Sequence, residues 1–269
     1  MSRFYLSHQG SEQYFTEADY AREFLFIALS IGEEMLMSGA EVSRVEDSVR
    51  RICTAYGGER VDVFAVASAI IASVHSREYG TVTQIRRIMG TRYDLFRLSR
   101  LNHLSRRICT EKPSFEDVEI ELEDIRHNTP VYPAERIFFM YALISFSFTL
   151  FFGGSLQDAM ASAVIGLFLR CMDYVSRALQ LPQYIAAVLW SFAGGCLALY
   201  FVSKNFGDSP DLISVGNVML LIPGMLLTNS IRDIFSGDTL SALMNFCNAF
   251  LLASLIAFGF ALPIFIWGA

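Results

Sequence analysis

Beyond residue 136, charge almost disappears from this 269-residue chain. Of its 21 Lys and Arg, 17 lie in residues 1–136, together with 21 of its 27 Asp and Glu. The remainder is a series of charge-free stretches at 137–157, 178–203, 212–231 and 239–269. A fifth apolar stretch, 159–176, carries Arg170 and Asp173 near its end. A bilayer core takes roughly 20 apolar residues as helix, and lipid offers the backbone no hydrogen bonds, so stretches of this length read as helical spans. The reading is five spans, at about 135–153, 157–176, 184–203, 212–230 and 241–267. The expected fold class is therefore a membrane protein in which a cytoplasmic α+β domain, residues 1–133, is followed by a transmembrane helical bundle, residues 134–269.

The fourth span is interrupted. Leu220-Leu221-Ile222-Pro223-Gly224 runs into Thr228-Asn229-Ser230-Ile231-Arg232-Asp233, with Gly237-Asp238 beyond. A helix broken at bilayer depth is tolerated only where protein or a wet cavity receives the freed backbone groups. Transporters place solute and ion sites at such breaks. The segment thus argues for a solute path through the bundle rather than a simple anchor. The small residues Ala159/Ala163, Ser162/Gly166 and Ala193-Gly194-Gly195 allow close helix approach, in a packed bundle that also leaves room for a higher oligomer.

Basic residues orient the chain. With the N-terminal domain inside, the second and fourth connections are also inside and carry Arg177 and Arg232, with Arg170 reaching toward the same face. The first outer connection, Gly153 to Gln157, has no Lys or Arg; the second has Lys204 with Asp208 and Asp211. The expected arrangement is N-terminus in the cytoplasm and C-terminus outside. The first 19 residues show no apolar signal-peptide core.

In the N-terminal half, Ala21, Phe24, Ile27, Ala28, Ile31 and Met35 recur at helical spacing over 18–37, and Ser38-Gly39 ends the run. A second helix starts near Glu41 and stops at Gly57-Gly58. Its Glu41/Arg44, Glu46/Arg50 and Asp47/Arg51 pairs read as a solvated ion-paired face. Residues 61–66, 69–74 and 81–89 are β-rich apolar runs, and 93–111 and 114–127 return to helix. This is a small α+β domain with enough chain for its own core.

The sequence excludes several classes. There is no GxSxG, no HExxH and no phosphate-binding glycine loop, so an enzyme is not expected. Neither half is basic enough for a nucleic-acid surface. The four His are scattered, and the five Cys show no metal spacing and read as reduced packing residues. No cofactor or metal is expected.

Taken together, Ser38-Gly39-Ala40-Glu41-x-x-Arg44-Val45-Glu46, the Val61-Asp62-Val63-Phe64 strand, Gly153-Gly154 before Asp158, and Pro223-Gly224…Thr228-Asn229…Arg232-Asp233…Gly237-Asp238 resemble the threonine/serine exporter family. Full-length members join a cytoplasmic domain to ten spans. With five, this chain resembles the larger subunit of the split branch. The resemblance implies an inner-membrane exporter of small carboxylate metabolites, a C4-dicarboxylate such as succinate or threonine/serine. It also implies a second small transmembrane subunit as partner. The rival reading is a membrane-anchored cytoplasmic enzyme or sensor, and a third is a passive channel.

The candidate substrate path comprises Pro223, Gly224, Thr228, Asn229, Arg232, Asp233, Asp238, Asp158 and Asn245, and the N-terminal motif comprises Gly39, Glu41, Arg44 and Glu46. Thr228 and Asn229 suit either a polar ligand or helix capping. Arg232 suits either a substrate carboxylate or a membrane-edge anchor paired with Asp233. Asp158 and Asp173 suit either proton transfer or interfacial solvation. Asn245 and Asn248, three apart, suit either ligand contact or interhelical bonding.

Overall fold

The computed structural model describes residues 16–130 and 132–267. His8 and the signal-peptide question therefore lie outside the described residues. The chain divides into two compact units. The first contains residues up to Pro130 and also Thr228–Asn245; the second contains Val131–Leu227 and Phe246 onward.

In the first unit, α1 (Glu17–Met37) is the central element. Thr16 caps it and forms a reciprocal pair with Asp19: the Asp19 N–H donates to Thr16 Oγ1, and the Thr16 N–H to Asp19 Oδ2, both at 3.2 Å. These bonds satisfy two donors that a helix start would otherwise leave open. Phe24, Leu25, Ala28, Leu29, Ile31 and Met35 are all buried, so α1 is enclosed on most sides rather than lying on a surface. At Gly32 a Cβ would stand 2.8 Å from Val49 of α2 (Val42–Ala55), so glycine permits that close approach. The sheet is an antiparallel meander of β1 (Arg60–Val66), β2 (Ala69–Ser76) and β3 (Gly80–Arg87). Its inner face buries Ala65, Ile70, Ala72 and Val74 in the core with α1. Its outer face carries Phe64, Ile71 and Ile85 in one cross-strand row, all exposed. Two helices, α3 (Leu95–Glu111) and α4 (Phe115–His127), complete the core through Leu101, Leu104, Ile108, Val118 and Ile125.

The second unit contains α5 (Ala134–Phe151), α6 (Leu156–Ala178), α7 (Gln183–Ser203) and α8 (Pro210–Leu221), with the C-terminal part of α10 (Thr239–Trp267). Its apolar core joins Ala161, Ile165 and Leu169 to Ala198, Ile213, Leu252, Ile256 and Phe260. A Cβ on Gly194 or Gly195 would press on Phe260 or Pro263, so both glycines serve helix approach. The structure is mostly helical. Four described helices, α5, α6, α7 and α10, are long and apolar enough to cross a membrane, and there are five crossings if α8 and the following helix α9 (Gly224–Phe235) count as one bent span.

The expected fourth span, 212–230, is thus two helices. Proline drives the residue before it out of helical geometry, and Ile222 is extended (φ −57°, ψ 131°), ending α8 at Leu221. The second helix restarts at Gly224 and runs five residues beyond the expected end.

Candidate functional site

The first unit brings together two stretches of sequence about 190 residues apart. One is the turn from α1 into α2. Gly39 has φ +90°, a left-handed conformation that glycine adopts without strain, and the Tyr93 ring occupies the place a Cβ would take. The Gly39 N–H donates to Leu36 O and the Ala40 N–H to Met35 O, closing α1. The other stretch is the second half of α9 with the turn into α10. Gly237 (φ +86°) ends α9 in the same way, its N–H donating to Ile234 O and that of Asp238 to Asp233 O.

Helix α9 is inverted relative to an ordinary surface helix. Its buried residues are Asn229, Ser230 and Asp233. Its exposed residues include Ile231, Ile234 and Phe235, the last 86 % exposed. The polar side meets the α1–α2 turn. Asn229 Nδ2 donates to Gly39 O at 3.2 Å, and Arg232 Nη1 donates to Glu41 Oε1 at 2.5 Å. Glu41 is the residue before α2 but makes no side-chain cap there, which leaves its carboxylate for Arg232. The ion pair is partly solvated, with side-chain exposures of 54 % and 23 %. Pairs of this kind contribute roughly 0–1 kcal/mol, too little for a major stabilising device and well suited to a contact that opens and closes.

Three further carboxylates and an amide surround this pair. Asp233 is 1 % exposed; its Oδ2 accepts from Asn245 Nδ2 at 3.1 Å, and the Val42 backbone N–H at the start of α2 also lies against the carboxylate. Asp238 Oδ2 is buried without a partner. Glu46 Oε1 accepts from the Ala65 N–H at 2.7 Å. Burial pushes the Glu46 carboxyl above the usual range; the Ala65 N–H opposes this, nearby Asp238 adds to it, and Arg50 opposes it. Burial also raises the Tyr93 phenol, with Asp233 acting in the same sense.

The structure therefore gathers Gly39, Glu41, Glu46, Asn229, Arg232, Asp233, Asp238 and Asn245 into one cluster. It does not gather the rest. Arg44 faces a shallow cleft with Leu98, Asn102 and Arg106. Pro223 and Gly224 form the break itself, and Thr228 is exposed at the start of the clustered part of α9. Asp158 lies in the second unit, where it completes the capping box of α6 with Ser155; its Oδ1 accepts from the Asp208 and Ser209 N–H groups at 2.7 and 2.9 Å. Asp173 is paired with Arg170 and Arg177, and Asn248 accepts from the Tyr184 hydroxyl at 3.4 Å.

Two expectations about pairing are corrected. Arg232 pairs with Glu41, while Asp233 bonds Asn245. Of the three acid–base pairs expected along α2, Asp47–Arg51 forms an ion pair at 2.8 Å, whereas Glu41 and Glu46 turn to partners outside the helix. Helical spacing makes a pair available but does not decide against a better-placed tertiary partner.

Sequence reasoning missed a polar seam in the second unit, formed by Ser145, Thr149, Ser162, Ser214 and Asn217, all buried. Its signal was present as hydroxyls and an amide three or four residues apart within apolar helices. Among the described residues, no group of three or more His, Cys, Asp or Glu is arranged to hold a metal ion.

Residues 26–267 match the family described as "Putative threonine/serine exporter". The chain is 21% identical over 243 residues to a "Probable threonine/serine exporter" of Mycobacterium tuberculosis, covering 89% of this chain and 45% of that protein. It is 22% identical to the "Probable succinate transporter subunit YjjP" of Klebsiella aerogenes, covering 87% of this chain and 90% of the relative. Its identity to the Escherichia coli protein of the same name is 21%, covering 94% and 98%. The chain thus spans less than half of the mycobacterial relative and nearly all of the other two. No solved structure matches it.

Proposed function

The chain belongs to the threonine/serine exporter family and is a multi-pass membrane protein, and from that premise we propose that it is one subunit of a secondary exporter for small carboxylate metabolites, threonine/serine or a C4-dicarboxylate such as succinate. A second small membrane subunit completes the path. The complex sits in the bacterial inner membrane, with the N-terminus of this chain in the cytoplasm and its C-terminus outside.

The observation that carries the reading is the Arg232–Glu41 contact, beside the Asn229–Gly39 bond, just after a broken apolar helix. A weak ion pair whose arginine follows a helix break nine residues earlier in the sequence has the properties of a gate. Glu41 holds Arg232 while the path is empty, and a substrate carboxylate competes for the same guanidinium fork as it enters. Exchange of one carboxylate for another keeps the charge balanced at each step, so it proceeds without exposing a bare cation to lipid. Of the acids expected to carry protons, Asp158 and Asp173 are engaged by several donors. Asp233 is held by neutral donors alone, Asn245 and the Val42 backbone N–H, and it is the residue to which we assign coupling.

The test is efflux from cells, read by mass spectrometry of internal and external metabolites during overproduction first of dicarboxylates and then of threonine. Arg232→Ala is expected to lower efflux at least about tenfold while membrane insertion is retained, a loss of roughly 1.4 kcal/mol or more in transition-state terms. The double exchange Glu41→Arg with Arg232→Glu tests whether the pair acts as a latch, and efflux is expected to return in part. Unchanged efflux in Arg232→Ala refutes the assignment.

A further inference from the structure

Arg44 is the motif residue that the cluster around α9 leaves out. Glu41 stands three residues before it, at helical pair spacing, yet the Glu41 carboxylate goes to Arg232. Asp47, three residues after it, goes to Arg51. Among the described residues Arg44 forms no ion pair, and its side chain is exposed. It lines a cleft of about 390 Å³ whose other wall is α3. Leu95, Leu98, Asn102 and Arg106 recur there at spacings of three and four, which sets them on one face of that helix, with His103 beside them.

The cleft is free of acid. No Asp or Glu lines it, and Asp94, just before α3, caps that helix and lies 3.9 Å from Arg97 Nε. Arg106, like Arg44, is exposed and has no ion pair among the described residues. Acids outnumber bases 21 to 17 over residues 1–136, so two unpaired arginines and a histidine around one acid-free concavity make a local positive field against the charge of their surroundings. The donors suit an oxyanion. Each guanidinium is a planar fork matched to a carboxylate, and His103 donates in either tautomer. Asn102 Nδ2 donates to Leu98 O at 2.7 Å and keeps a second hydrogen for a ligand. Two unpaired cations call for two negative charges. With no carboxylate in the wall, an ammonium group would lose water and gain no partner. Leu95 and Leu98 add apolar surface that a carbon chain covers and an inorganic ion does not.

We propose that the α2–α3 cleft binds a small organic dianion, with Arg44 and Arg106 as its cationic contacts and Leu95 and Leu98 as its apolar wall. This concerns the first unit alone and stands whether or not the export reading holds.

The experiment is isothermal titration calorimetry of the purified full chain in detergent, with succinate, inorganic phosphate and threonine as probes at equal ionic strength. Succinate is expected to bind saturably, phosphate more weakly and threonine not at all. Arg44→Gln and Arg106→Gln are each expected to weaken succinate about three- to tenfold, and the double variant to abolish it. Both side chains are exposed and unpaired, so the variants are expected to keep the wild-type melting temperature. Arg87→Gln, at an exposed arginine of β3 outside the cleft, is expected to leave the affinity unchanged. Phosphate or threonine binding as tightly as succinate overturns the proposal. So does succinate affinity that survives in Arg106→Gln. If that affinity is lost instead in Arg232→Lys, the ligand belongs to the proposed export path and not to the cleft.

Discussion

In the first unit the polar side chains around α9 are mainly carboxylates, and those of Glu41, Glu46 and Asp233 each meet a donor from another element. In the second unit the seam contains hydroxyls and an amide, and its hydrogen bonds run among Ser145, Thr149, Ser162, Asn217 and Ile213 without a charged partner. The difference comes from what surrounds each. The Arg232–Glu41 pair is partly exposed, so that interaction stays weak and reversible. Inside an apolar bundle, a full charge without a partner is expensive, while a dipole with two bonds is tolerable. Asp158 is consistent with this: a carboxylate buried in the second unit, held by four hydrogen bonds from Ser155, Asp208 and Ser209.

The contrast can be broken most forcefully at Gly216. Gly216→Val drives a side chain into Thr149, and overpacking of this kind costs about 1–3 kcal/mol. It is expected to lower the melting temperature of the whole chain by several degrees, with no sign of local accommodation. Next is Asn217→Leu, which removes one interhelical bond to Ser162, one bond to the Ile213 carbonyl within α8, and the orphaned oxygen together. The expected loss is about 0.5–1.5 kcal/mol, and a stability above wild type would show that the amide is retained at a cost.

Titration sharpens the charged side of the comparison. The Glu46 carboxyl is raised by burial, so its contribution to stability is fully present below the ordinary carboxylate range and is lost as pH rises through its folded value. Unfolding followed by denaturant across the mildly acidic range is expected to show that decline. Glu46→Gln is expected to flatten it, and an unchanged slope would place the dependence elsewhere. The smallest effect is expected at Asp47→Ala. Its pair with Arg51 is solvated, with side-chain exposures of 49 % and 69 %, and the change in stability is expected to stay below about 0.5 kcal/mol.

Much of the architecture was legible because it rests on local rules. β-rich apolar runs marked the three strands, Ser38-Gly39 and Gly57-Gly58 marked two helix ends, and Pro223 marked the break. The family motif residues were legible one by one, but their meeting was not. Nothing at positions 41 and 232 indicates that they pair across 191 residues, since helical spacing offers Glu41 the nearer Arg44. The inversion of α9 was also hidden. Residues 224–235 continue an apolar stretch, and only packing against the α1–α2 turn reveals that the polar side faces inward. The seam escaped because single Ser, Thr and Asn residues in apolar helices do not interrupt hydropathy.

The first unit is discontinuous: Thr228–Asn245 belongs with the residues up to Pro130. During synthesis, therefore, the N-terminal portion leaves the ribosome long before the segment that completes it. The 97 residues from 131 to 227 must first be made and delivered to the membrane, which takes roughly 5–20 s at ordinary elongation rates. Through that interval Glu41 lacks Arg232 and the Gly39 carbonyl lacks Asn229. A nascent chain stalled before residue 228 would present this vacant acidic socket.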